Sequence, residues 1–66
     1  MTRVLIIPQR DLLGQIAEYV VALDTGGQRW PLAQCEFLPE AQRAARQAYE
    51  AHRAQRITIE TEEKAA

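Results

Sequence analysis

Apolar positions in this 66-residue chain fall into four blocks, and each has its own period. Val4-Leu5-Ile6-Ile7 is continuous, aliphatic and closed by Pro8. Such a run is too short for a buried helix and reads as a strand that is apolar on both sides. At the other end, Arg56-Ile57-Thr58-Ile59-Glu60-Thr61 alternates strictly, with Ile57 and Ile59 on one face. That period of two predicts a strand with one buried side.

The block Asp11–Leu23 fits two templates. Leu12, Leu13, Ile16, Tyr19, Val20 and Leu23 recur at helical spacing, with Gly14 as a blemish. Tyr19-Val20-Val21 favours a strand, however, and Asp24-Thr25-Gly26-Gly27-Gln28 is turn chemistry, because paired glycines accept positive φ without a Cβ clash. The segment is therefore read as a β-hairpin of Ile16–Leu23 and Arg29–Phe37, with Asp11–Gly14 a turn, and the helix stands as the alternative. Pro31 has no N–H to donate, so its strand is an edge or begins after it.

Leu38-Pro39-Glu40 opens a long helix that runs to the Arg53–Arg56 region. Proline suits the first turn, and glutamate suits the positive end of the helix dipole. No Ser, Thr, Asp or Asn stands at the start to cap it. At 100° per residue Ala41, Ala45, Ala48 and His52 share a face, flanked by Ala44, Ala51 and Tyr49. A face made of methyl groups predicts a helix lying close on its partner layer. Arg43, Arg46, Glu50 and Arg53 take the opposite side. The expected fold is a single α+β domain over residues 1–61, in the order β-β-β-α-β. An antiparallel-rich sheet carries one long helix on one face, and residues 62–66 form an acidic end.

Composition narrows the function classes. Apolar residues make up 47%, charged residues 26%, and the net charge is −1. A general nucleic-acid binder carries a positive field, and the whole molecule lacks one. Charge is uneven, with +3 over residues 41–56 and −2 on either side. The arginine face is thus either the solvated side of a helix, partly neutralised by Glu50 one turn away, or a basic stripe of Arg43, Arg46 and Arg53 for an acidic protein or nucleic acid. No apolar run approaches a membrane span, and the opening run is too short for a signal peptide. A free cysteine fits a reducing compartment, so a cytoplasmic protein without a membrane role is expected.

Candidate chemistry is sparse. Cys35 and His52 are the single residues of their types, which excludes an intrachain disulfide and a multi-cysteine zinc site. A Cys35–His52 dyad has no motif around it. Residues Thr25–Arg29 lack the Lys-Ser/Thr ending of a phosphate loop. No catalytic residue, metal, cofactor or small-molecule substrate is expected.

The sheet offers more. One helix covers one face, yet Val4–Ile7 is apolar on two. If Pro31, Ala33, Cys35 and Phe37 face the helix, Trp30 and Leu32 face away, beside one side of Tyr19–Val21, unless residues 8–15 fold back as a cover. Tryptophan and tyrosine are enriched in interface centres. Trp30, Leu32, Tyr19 and Val21 are therefore the expected contact surface for a protein partner or a second copy. The expected function is that of a small non-enzymatic protein-binding module: an adaptor, modulator or inhibitor, of a size common among phage- and plasmid-encoded proteins. The alternative is a nucleic-acid-binding regulator using the arginine face.

Overall fold

The computed structural model describes residues 2–59. The chain forms β1 (Thr2–Arg10), β2 (Ile16–Thr25), β3 (Gln28–Cys35), α1 (Leu38–His52) and β4 (Arg56–Ile59). This is the expected β-β-β-α-β order. The expected extension of the last strand to Thr61 and the acidic end lie outside the described residues.

The four strands make one mixed sheet in the order β3-β2-β1-β4. β1 pairs antiparallel with β2, β2 antiparallel with β3, and β1 parallel with β4. On β1, an interior strand, Val4 and Ile6 lie beneath the helix while Leu5 on the other face is enclosed by neighbouring side chains, which accounts for a run that is apolar on both faces. The segment 16–25 is a strand, so the helical alternative for 11–23 does not form. Its helical spacing loses to the β-branched run and to the hairpin turn that follows. There Thr25 pairs with Gln28, and Gly26 (φ 59°) and Gly27 (φ 80°) both lie in the left-handed region. Two successive positive φ angles define the turn whose twist matches the strands, and glycine adopts them freely.

The helix lies across one face. Ala41, Ala45 and Ala48 are buried there against Val4, Ile6 and Val21, with Ala54 closing the layer. Leu23, Tyr19, Ala33, Cys35 and Leu38 pack around that core. As expected, no side chain caps the helix N-terminus at Phe37, and Pro39 stands in the first turn.

The helix stops earlier than the sequence pattern indicates. Arg53 adopts φ 53° and ψ 43°, a left-handed cap whose N–H donates to the Tyr49 carbonyl. The Ala54 N–H donates to the same carbonyl at 3.1 Å, and the Gln55 N–H donates to the Thr2 carbonyl at 2.8 Å, which steers the chain into β4. A left-handed conformation costs a residue with a Cβ about 1–2 kcal/mol. Replacing Arg53 with glycine is therefore expected to stabilise the fold by about 0.5–1 kcal/mol after the extra freedom of the unfolded chain is counted. Thermal unfolding measures this: a midpoint that drops would mean the cap is held by the arginine side chain.

On the sheet face away from the helix, Leu5 and Ala22 stand opposite each other at the centre and are 2% and 3% exposed. Their neighbours shield them. Ile7 and Val20 are half-buried along the same face. Arg3 bonds Asp24 at 2.5 Å at one end, and Gln34 donates to Glu18 at 3.3 Å at the other. The alternative, a fold-back of residues 8–15 over this face, does not form, since Leu12 and Leu13 project into water.

Candidate functional site

Among the described residues, exposed apolar groups stand in an ordered setting at the β1–β2 connection and between α1 and β4. The first is the connection between β1 and β2. Asp11 organises it. Its Oδ1 accepts the N–H groups of Leu13 (2.9 Å) and Gln15 (3.0 Å), and its backbone exchanges bonds with Gln15 (2.8 Å) and Gly14 (3.0 Å). Arg10 Nη1 donates to the Gly14 carbonyl at 2.7 Å, and Gly14 supplies the left-handed turn at φ 81°. Aspartate suits this position because its short side chain can bond backbone two residues on. The loop is thereby closed on itself, and the two residues at its apex have nowhere to pack. Leu12 is 104% exposed and Leu13 82%. Ile16, at the foot of β2, adds a third exposed aliphatic group.

The second surface is a groove between α1 and β4. Register pairs Val4 with Ile57 and Ile6 with Ile59, so both isoleucines of β4 lie on the helix side of the sheet. The helix covers that side incompletely, leaving Ile57 and Ile59 36% and 46% exposed. With Ile6 they floor a groove of about 590 Å³, and Arg43, Arg46 and Glu50 stand on its helical wall. That volume falls within the usual range for ligand-binding clefts. Among the described residues neither arginine has an ion-pair partner, and Glu50 bonds neither Arg46 nor Arg53. The expected stripe of three is thus a pair. Arg53 belongs to the left-handed cap, where its Cα no longer follows the helical screw.

The expected contact surface of Trp30, Leu32, Tyr19 and Val21 is not one surface. Val21 is fully buried beneath the helix, and Tyr19 packs against the same core. Trp30 is 53% exposed and stands opposite Leu23, so it too belongs to the helix side. A bulge is responsible. Ala22 pairs with Pro31 but Val21 with Ala33, which leaves Leu32 as an inserted residue. One extra residue reverses the alternation before it relative to that after it. Ala33 and Cys35 face the helix as expected, whereas Pro31 and Trp30 exchange sides: Pro31, opposite Ala22, lies on the far face and Trp30 does not point away. Leu32, 42% exposed, is an exposed member of the set at the bulge.

Cys35 and His52 are not brought together. Cys35 pairs with Tyr19 just before the helix begins, and His52 is the last helical residue. Fifteen residues of helix separate the two ends by about 22 Å. Among the described residues no group of three or more His, Cys, Asp or Glu side chains could hold a metal ion, and no helix is long and apolar enough to cross a membrane.

The sequence reading overlooked Leu12 and Leu13 as surface residues. A signal was present in Asp11 followed three residues later by Gly14, which places the pair between them at the apex of a closed turn once both flanks are strands. Compared with protein-family models, curated proteins and solved structures, the chain matches none of them.

Proposed function

We propose that this chain is a small, non-enzymatic protein-binding module whose Leu12–Leu13 apex inserts into an apolar cleft of a partner. The observation that supports this reading is the exposure of two adjacent leucines on a loop held by five hydrogen bonds. Burying one leucine side chain is favourable by about 1.5–3 kcal/mol, so a cleft that takes both gains roughly twice that. The loop is already ordered, and binding then loses little conformational entropy. Trp30 and Leu32 are exposed on the edge strand, separate from this apex. A second copy of the chain is the simplest partner to test.

The expected result is that the wild-type chain associates, with itself or with its partner, and that Leu12→Asp with Leu13→Asp abolishes this while leaving the circular dichroism spectrum unchanged. Sedimentation at several concentrations reads self-association directly. Association that persists in the double variant, or that collapses steeply with added salt and requires an oligonucleotide, rejects the apex as the contact and favours nucleic-acid binding through Arg43 and Arg46.

A further inference from the structure

Building on the protein-binding reading, we propose that the groove between α1 and β4 accepts an extended acidic segment of a partner protein as a fifth strand. The two edges of the sheet are not equivalent. β3 is blunted by Pro31, which cannot donate, and by the bulge at Leu32. β4 carries neither device over Arg56–Ile59, and its outer edge is unpaired among the described residues. Backbone groups on that edge can continue the hydrogen-bond ladder, as in other complexes formed by strand addition.

Side-chain chemistry then sets the ligand. Alternate residues of an added strand point to the helix side. One of them rests on Ile57 and Ile59, and those two positions before and after it come level with the helical wall. The two flanking positions are four residues apart, hence about 13 Å along the strand. Arg43 and Arg46 are three residues apart, hence about 4.5 Å along the helix axis. The difference, about 4 Å at each end, is within the reach of extended glutamate and arginine side chains, so two flanking carboxylates can meet two guanidinium groups that have no ion-pair partner among the described residues. Glu50, on the same wall, disfavours extra negative charge at its own end and so keeps the carboxylates towards Arg43 and Arg46.

The test uses the full chain, labelled with ¹⁵N, and a capped seven-residue peptide of sequence Ser-Glu-Ser-Ile-Ser-Glu-Ser, with lysine replacing glutamate in a control. The glutamate peptide is expected to bind with a Kd below about 1 mM, moving the amide signals of Arg56–Ile59, whereas the lysine peptide does not bind. Arg43→Glu with Arg46→Glu, both at exposed positions, should weaken the glutamate peptide at least about tenfold and confer binding of the lysine peptide. Methylating alternate peptide nitrogens, in one of the two possible sets, should abolish binding.

No binding at millimolar peptide, signal changes confined to other strands, selectivity unaltered by the charge reversal, or full tolerance of both methylated sets would each overturn the proposal. A single-stranded oligonucleotide that displaces the peptide from the same residues at lower concentration would overturn it in favour of nucleic acid. None of these variants touches the apex, so the groove and the Leu12–Leu13 contact can fail independently.

Discussion

Replacing Ala45 with leucine is expected to lower the thermal midpoint by roughly 5–20 °C. Ala45 is fully buried between Ala41 and Ala48, directly over Val4, Ile6 and Val21. A helix that presents methyl groups to a sheet settles close to it, so three additional carbons find no space. Overpacking a filled core costs about 1–3 kcal/mol, and in a domain of this length each kcal/mol moves the midpoint by about 4–8 °C. Ala51→Leu provides the control, because Ala51 lies on the exposed side of the same helix and should shift stability by less than about 0.5 kcal/mol. Circular dichroism melts of both variants decide the matter. Equal midpoints would mean that the helix stands farther from the sheet than its buried alanines indicate.

The opposite change in the same layer is expected to be larger. Ile6 is fully buried on the central strand and contacts the helix layer while also forming part of the groove floor. Ile6→Ala deletes three buried carbons from a position that backbone pairing on both sides keeps from collapsing. Losses at such sites run to about 2–5 kcal/mol. Total stability for a chain of this length is about 3–10 kcal/mol, so the loss is a large fraction of it and the variant is expected to unfold at a markedly lower urea concentration. Urea unfolding gives the difference. Ile59→Ala, at a half-exposed position on the edge strand, should lose about 1 kcal/mol or less. If the two losses were equal, Ile6 would not be the keystone of the layer.

Much of this architecture is legible along the chain because its signals are local. Val4–Ile7 has no polar position, as suits a strand inside the sheet with both faces sheltered. Gly26-Gly27 accepts a pair of left-handed angles, so the hairpin on either side follows from backbone sterics alone. The alanines at 41, 45 and 48 share a helical face at any register. The helix end was less legible. Arg53 has no local feature that marks a left-handed cap, and the alanine-rich pattern continues past it. The chain leaves the helix there because Gln55 bonds to Thr2, a residue 53 positions away.

The candidate sites show the same division. Arg43 and Arg46 were visible as a basic helical face, but the groove beside them depends on β4 lying parallel to β1, a pairing between residues more than 50 positions apart. Trp30 was visible as an aromatic on a strand, yet its face was set by the inserted Leu32. Alternation counts residues, and a bulge adds one without changing the polarity pattern.

Taken alone, the order of residues determined the first and last strands, the body of the helix with its methyl face and the tight turn at Gly26-Gly27, and it favoured a strand over a helix at 16–23. Each follows from interactions spanning a few residues: steric limits on φ and ψ, and the period at which apolar groups recur. Tertiary structure alone decided that Val21 and Tyr19 lie under the helix, that Trp30 shares their side, and that Ile57, Ile59, Arg43 and Arg46 line one groove. Those outcomes depend on strand order and register, which are set by packing between distant segments and leave no periodic trace in the chain.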